Sequence, residues 1–167
     1  MLTYTNFLIH LQLNPILKRY FRIKFKTKLE GIYVFGGLDQ HRKIQSELKV
    51  LRLGKRPLEW FTPKTQGTPP DERISCNITY YEELNFLLIN GGRNDSGKNV
   101  FFNDIFILNL HTFNWIKVKT FSNEPKDRAQ HSSILYHNKL IIFGGICATK
   151  YLGSDLFVVN FGKSIII

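Results

Sequence analysis

Short apolar runs separated by polar loops recur along the whole chain, and some of them alternate with polar residues at every second position. Between residues 20 and 29 this alternation sets a basic series against an apolar one: Arg22, Lys24, Lys26 and Lys28 against Phe21, Ile23, Phe25 and Leu29. A period of two is typical of a β-strand with one polar face. The pattern predicts an all-β chain of twelve strands, near residues 5–13, 20–27, 31–36, 47–53, 58–63, 75–81, 85–90, 104–110, 113–119, 131–137, 139–144 and 155–161.

Three glycine pairs mark an internal repeat, because each directly follows an apolar run. Their first residues are 55 and 53 positions apart, and the pairs are Gly36-Gly37, Gly91-Gly92 and Gly144-Gly145. Trp60 and Trp115 are also 55 positions apart, and each lies 23 residues after the second glycine of its pair. Arg73 and Arg128 each follow their tryptophan by 13 residues. Landmarks that share one period indicate a repeat architecture.

These landmarks resemble the kelch repeat, whose unit runs from a Pro-Arg-x-x-His-Ser stretch through an apolar strand into Gly-Gly, then an acid-led strand and a tryptophan strand. The last unit matches at Pro125, Arg128, His131, Ser132, Tyr136, Gly144, Gly145 and Asp155. The unit before it matches at Gly91, Gly92, Asn103, Asp104, Asn109 and Trp115. Cys76 and Asn77 stand where that unit would have His and Ser.

The resemblance implies a partial kelch-type β-propeller of about three four-stranded blades. With the strands of a blade named a to d from the axis outward, the chain is expected to start on a d strand and end on a c strand. We treat residues 1–167 as one kelch-repeat region, with repeats near 5–60, 61–115 and 116–161 and the weakest match over 1–19.

The recurring residues are expected to be structural. The glycine pairs should form turns that need a positive φ, and Trp60 and Trp115 should pack between blades. Arg73 and Arg128 should bond carbonyls or an acid such as Asp104 or Asp155, and His131 should be a structural histidine whose hydrogen bonds are satisfied. Functional alternatives are a phosphate cradle at residues 91–98, base stacking on the tryptophans, ligand binding by the arginines and a catalytic role for His131. The cradle is disfavoured because residues 91–98 lack the P-loop glycine spacing.

Motifs for catalysis are hard to find in this sequence. No group of His, Cys and Asp has metal-ligand spacing, and the Gly-x-Ser-x-Gly motif of a nucleophile elbow does not occur. The sequence therefore predicts a non-enzymatic module without cofactor or metal. An enzyme whose site is completed by missing blades is the alternative.

The loops that join strands b and c, at residues 38–45, 93–102 and 146–153, are expected to lie on one face of the propeller and to carry the binding function. Candidate partner-binding residues in these loops are His41, Arg42, Lys43, Arg93, Asn94, Lys98, Lys150 and Tyr151. These residues would form a basic rim.

Charge suggests the kind of partner. The chain has 167 residues and a net charge of +10, and residues 1–30 carry six basic residues against one acid. We expect an acidic protein partner; nucleic acid bound through Arg22, Lys24, Lys26 and Lys28 is the alternative. No apolar stretch reaches the roughly 20 residues of a membrane helix. Two separate cysteines suit the cytoplasm, with a mitochondrial presequence as the minority alternative.

Three blades are too few to close a ring, since propellers have roughly 4–8. The chain is therefore expected to be a fragment of a longer protein, half of a six-bladed ring closed by two copies, or a subunit of a larger assembly. In each case the predicted function is a protein-interaction scaffold that depends on something outside itself.

Overall fold

A computed structural model describes residues 20–23, 31–53, 56–97, 99–119 and 124–161, the first range by its backbone alone. Thirteen strands and no helix occur within these ranges. The predicted strand at 5–13 lies outside the described residues, so the expected start on a d strand is not tested. Also outside the described residues are Lys24, Lys26 and Lys28 of the basic strand, and Lys98.

The predicted strands from residue 31 onward all occur, and each begins and ends within two residues of its predicted bounds. The strands are β1 (Tyr20–Ile23), β2 (Gly31–Phe35), β3 (Leu48–Arg52), β4 (Glu59–Phe61), β5 (Asn77–Tyr81), β6 (Phe86–Asn90), β7 (Arg93–Asn94), β8 (Val100–Phe101), β9 (Ile105–Asn109), β10 (Asn114–Lys117), β11 (Ser132–Tyr136), β12 (Lys139–Phe143) and β13 (Leu156–Asn160). The pattern missed β7 and β8. They form a two-stranded hairpin inside a loop that was predicted to be irregular.

The larger strands form three antiparallel sheets, which we call blades 1, 2 and 3. Blade 1 has the order β1-β2-β3-β4, blade 2 the order β5-β6-β9-β10, and blade 3 the order β11-β12-β13. The first strands of successive blades are neighbours, since β5 contacts both β1 and β11. The blades therefore stand side by side around their inner strands, with the outer strands pointing away.

Blades 1 and 2 are joined by an apolar junction. Each strand sends alternate side chains to opposite faces of its sheet, and one face of blade 1 meets one face of blade 2. The residues buried there are Tyr33, Phe35, Leu48 and Val50 of blade 1 with Cys76, Ile78, Leu87, Ile89, Phe106, Leu108, Leu110 and Trp115 of blade 2. The Trp115 ring meets the Phe35 ring edge-on, with centroids 5.5 Å apart.

Blades 2 and 3 are joined by a second junction that mixes apolar and polar contacts. Its buried core comprises Tyr81, Phe86, Leu88, Ile105 and Ile107 of blade 2 with Leu140, Ile142 and Val159 of blade 3. Nearer the inner strands, the Ser133 hydroxyl lies 3.1 Å from the Thr79 hydroxyl and accepts a hydrogen bond from the Asn90 amide at 3.0 Å. Hydrogen bonds have directional geometry, so this junction fixes the register of blade 3 on blade 2.

The other side of blade 3 is an open apolar face. Its exposed side chains are Ile134, Tyr136, Phe143, Leu156 and Val158, of which Ile134 is 63% exposed. Leu156 and Val158 occupy the strand positions that Ile105 and Ile107 hold in blade 2, where blade 3 covers them. The open face is therefore the surface on which a next blade would stand. We refer to it below as the open face.

Trp60 departs from the expectation that both tryptophans pack between blades. Trp115 is 4% exposed, whereas Trp60 is 44% exposed. Trp60 pairs with Leu51, which belongs to a small buried cluster separate from the junction with blade 2. Trp60 thus lies on the face of blade 1 turned away from blade 2. No blade among the described residues stands against it.

The two tryptophans give a matched test of this junction. Trp115→Ala should lower the free energy of unfolding by about 3–5 kcal/mol, because it leaves a cavity between blades 1 and 2. Trp60→Ala should cost less than about 1 kcal/mol, because the side chain is half in solvent already. Urea unfolding of both variants measures the difference. Equal losses would contradict the assignment of Trp115 alone to a junction.

Candidate protein-binding face

The glycine pairs bring the backbone of one blade against the start of the next. Gly36 and Gly91 have φ angles of +69° and +58°, a region that side chains rarely adopt. A Cβ on Gly91 would lie 2.6 Å from the carbonyl oxygen of Arg128, and a Cβ on Gly36 would collide with that of Arg73. The second glycines of these two pairs, Gly37 and Gly92, donate their N–H groups to the same carbonyls, at 3.0 Å for Arg73 and 2.8 Å for Arg128.

Arg73 is fully buried at the start of blade 2 and uses its whole guanidinium group there. It donates to both carboxylate oxygens of Asp104, at 2.5 and 3.1 Å, and to the Gly91 carbonyl at 3.0 Å. Its Nε donates to the carbonyl of Asp71 at 2.9 Å. The guanidinium carbon lies 4.1 Å from the centroid of the Phe102 ring, a cation–π contact. One side chain therefore ties together the segments that enter strands a and c and the end of strand b.

Arg128 repeats this arrangement in blade 3. It donates to the Asp155 carboxylate at 2.5 Å, to the Gly144 carbonyl at 3.0 Å and to the Lys126 carbonyl at 3.1 Å. A paired guanidinium with satisfied hydrogen bonds is how a buried charge is accommodated. The geometry of both arginines is that of a structural tie rather than of a ligand site.

These ties gather two kinds of loop at one end of the blades, and we call this end the binding face. It comprises the b–c loops at 38–45, 93–97 with 99–102, and 146–153, together with the described parts of the d–a loops at 63–72 and 124–127. Two side-chain hydrogen bonds join the two kinds of loop directly. Asn94 donates to Glu72 at 3.1 Å, and Asn103 donates to Glu124 at 3.0 Å.

The candidate residues of blade 1 lie on a well-ordered turn at this end. The Asp39 carboxylate accepts hydrogen bonds from the backbone N–H groups of His41 and Lys43, both at 2.9 Å. Arg42 has a φ of +63° at the tip of the turn. All three candidate side chains, His41, Arg42 and Lys43, are exposed. The short hydrogen-bonded turn presents them outward from the blade.

The other candidates lie at the same end of blades 2 and 3. Arg93 and Asn94 form β7, where the Arg93 guanidinium is 3.2 Å from the Asp95 carboxylate. Lys150 and Tyr151 project from the loop of blade 3, and Tyr151 is 85% exposed. The structure thus distributes the candidates over three blades along one rim instead of gathering them into one cluster.

The binding face carries both signs of charge, because the d–a loops add acids to the basic b–c loops. Asp71 and Glu72 lie in the loop before blade 2, and Glu124 and Asp127 lie in the loop before blade 3. The basic rim predicted from the sequence rests on the b–c loops alone. Placing the d–a loops beside them requires the pairing of strands within each blade.

A groove of about 770 Å³ lies on the binding face between the loops of blades 1 and 2. It is lined by Ser46, Thr68, Pro69, Pro70, Asp71, Glu72, Asn94, Ser96, Val100 and Phe102. Of these residues, Asn94 alone is among the candidate partner-binding residues predicted from the sequence. The Pro69-Pro70 pair and the acids beside it were a signal for a shaped loop, but their partner is the β7–β8 hairpin that the pattern missed.

Other polar groups in the described ranges have local roles. His131 is buried, and its Nε2 lies 2.6 Å from the side-chain oxygen of Asn90 in the neighbouring blade. Cys147 is a free thiol whose pKa is lowered, chiefly by a hydrogen bond with the Thr149 backbone. No set of three or more His, Cys, Asp or Glu residues that could hold a metal occurs in this part of the chain. The same residues include no helix able to cross a membrane.

Comparison with known proteins agrees with the blade architecture. Residues 26–165 match the family described as the KLHDC2/KLHL20/DRC7 Kelch-repeats domain. The solved structure of YjhT superposes with a TM-score of 0.60 at 16% identity, over 84% of this chain and 46% of that one. The fold is therefore that of a β-propeller built from repeated four-stranded blades. The chain belongs to the kelch-repeat family, as the resemblance of its motifs implied.

The relatives by sequence are much longer proteins. Dynein regulatory complex subunit 7 of Chlamydomonas reinhardtii is 29% identical over 115 residues, which are 68% of this chain and 10% of the relative. Host cell factor of Drosophila melanogaster is 34% identical over 131 residues, which are 70% of this chain and 8% of the relative. The chain thus spans about a tenth of these proteins' length. The matches show the repeat family.

The buried Arg73 tie should contribute more to the free energy of unfolding than the exposed ion pair near it. Asp104→Ala should cost about 3–5 kcal/mol of unfolding free energy, because it leaves the Arg73 charge buried without its carboxylate. Asp95→Ala removes the exposed partner of Arg93 and should cost at most about 1 kcal/mol. Urea unfolding compares the two. A loss of similar size in both variants would show that Arg73 is not the tie described above.

Proposed function

We propose that this chain is a non-enzymatic interaction module that presents its binding face to a protein partner within a larger assembly. The observation that carries the proposal is the groove on that face, whose walls are loops held by the buried Arg73 tie. A shaped concavity on rigidly anchored loops is the usual form of a binding site. The proposal places the module in the cytoplasm, where cysteines outside disulfides, such as Cys76 and Cys147, are usual.

The relatives support a role in assemblies. One of them is by name a subunit of the dynein regulatory complex. We extend membership of a larger complex to this chain. The partner itself is not defined by that comparison.

The charge of the chain favours a partner with an acidic surface. A net charge of +10 attracts acidic proteins at long range and raises the rate of encounter. Arg42, Lys43 and Lys150 are exposed at the rim and would make the first contacts. Contacts of this kind act mainly on association rate and are weakened by salt.

Site-specific photo-crosslinking in extracts of the source cells tests the proposal. A benzophenone side chain at Ser96 or Tyr151, both on the binding face, should crosslink to one discrete protein, identified by mass spectrometry. The matched control is Leu84, which is exposed on the a–b turn at the opposite end of blade 2. Crosslinks that are absent from Ser96 and Tyr151, or equally strong from Leu84, would contradict a binding face at this end.

We also propose that the open face packs against a further kelch-type blade supplied by the assembly. The same face of blades 1 and 2 is covered by the blade that follows it. The matched region covers 46% of the YjhT chain, so the three blades amount to less than half of that propeller. Without a covering blade, several large apolar side chains stay in water, which favours association.

Light scattering across a dilution series, with a hydrophobic dye, examines the open face in the isolated chain. We expect either a stable species near twice 19.5 kDa, in which a second copy covers the face, or a monomer that binds dye. Val158→Lys should abolish the dimer or lower the dye signal, and Leu84→Lys, at an exposed apolar residue elsewhere, should do neither. A monomer that binds no dye and ignores Val158→Lys would contradict the proposal.

A further inference from the structure

The groove on the binding face has two apolar banks. Pro69 and Pro70 form one bank on the d–a loop that leads into blade 2, and Val100 and Phe102 form the other beside the β7–β8 hairpin. Val100 is 42% exposed, so its apolar side chain is available for contact. The groove is open to solvent along its length, so an extended chain could lie in it.

The banks are held in place before any partner arrives. The Phe102 ring packs over the buried Arg73 guanidinium at 4.1 Å, and the Asp104 carboxylate fixes that guanidinium in turn. Across the groove, Asn94 donates to Glu72 at 3.1 Å, and its own side-chain oxygen accepts from the Ser96 N–H at 2.8 Å. Little conformational entropy is lost on binding to loops that are already ordered.

The charge inside the groove is opposite to that of the chain. Asp71 and Glu72 line it, and no cationic side chain does so among the described residues. Two cations of the described ranges stand close to it, and both already have acidic partners. Arg73 is paired with Asp104, and Arg93 with Asp95 at 3.2 Å. The local field therefore favours a positive group although the chain as a whole is basic.

We propose that the groove binds an extended peptide segment of the partner that places an apolar side chain next to a lysine or arginine. The apolar side chain packs between Pro70, Val100 and Phe102, and the cation faces the carboxylates of Asp71 and Glu72. This inference rests on the proposed function and names the segment that its binding face recognises. It differs from the long-range attraction of acidic proteins, because it concerns one segment in contact with the groove.

Ligands that carry phosphate fit the groove poorly. The carboxylates of Asp71 and Glu72 repel an anion, and desolvating like charges against each other is unfavourable. The apolar banks have no role in binding a hydrophilic anion. A segment with both apolar and cationic side chains uses every part of the lining.

Fluorescence anisotropy with short labelled peptides tests the proposal. The probe is a fluorescein-labelled hexapeptide of alternating leucine and arginine, compared with alternating leucine and glutamate and with alternating serine and arginine. The leucine–arginine peptide should bind about tenfold or more tightly than either of the others, because only it satisfies both banks and carboxylates. Its affinity should fall as salt screens the carboxylates.

Variants of the full chain locate the binding. Asp71→Asn with Glu72→Gln should weaken the leucine–arginine peptide about three- to tenfold, in line with the loss of two exposed ion pairs. Val100→Ser should weaken it as well. The matched control is Glu82→Gln with Glu83→Gln, which removes the same charge on the a–b turn at the opposite end and should change nothing. Thermal unfolding of each variant shows that its fold is kept.

Equal binding of the glutamate or the serine peptide would overturn the inference, and so would equal weakening by the control pair or the absence of leucine–arginine peptide binding. None of these results affects the crosslinks expected from Tyr151, which lies in blade 3 away from the groove. Failure of the groove and failure of the binding face are therefore distinguishable. Crosslinks from Tyr151 without peptide binding would leave the face in place and assign another segment to it.

Discussion

The arrangement of the blades depends on a buried arginine guanidinium at the start of a blade. Arg73 and Arg128 each neutralise their charge on the acid that leads strand c and use further donors on nearby carbonyls. Their own carbonyls accept from the glycine pair of the preceding blade. Each arginine residue thus closes its own blade through the side chain and attaches the previous blade through the backbone. A short apolar strand alone could not fix both.

The same tie connects stability to recognition. The Phe102 ring that covers Arg73 is also a wall of the groove, so the loop geometry is set by a contact that the fold needs anyway. Loops anchored in this way can vary in sequence at their tips without losing their position. A few anchoring residues therefore set the geometry of the binding face, and the many residues of its loops set its chemistry.

Much of the fold could be predicted from the sequence, because period-two alternation and a repeat near 55 residues are both visible in the order of the residues. Partners such as Asp104 for Arg73 followed from recurrence at a fixed offset. The exposure of Trp60 did not follow, because recurrence describes a position in the repeat and not the presence of a neighbouring blade. The groove was missed since its banks, at Pro70 and Val100, are 30 residues apart in the sequence and meet only through the sheet pairing.

The hydroxyl and amide contacts between Thr79, Asn90 and Ser133 affect the order in which the blades unfold. Stacked repeats behave as a line of coupled units, and each unit gains stability from the neighbours that cover it. Among the described residues, blades 1 and 3 each have one covered side. Only that of blade 3 is partly polar, so blade 3 should be the first unit to open in native-state hydrogen exchange. Unfolding would then proceed from blade 3 towards blade 1. Whatever covers the outer side of blade 3 would therefore slow amide hydrogen exchange as far away as blade 1.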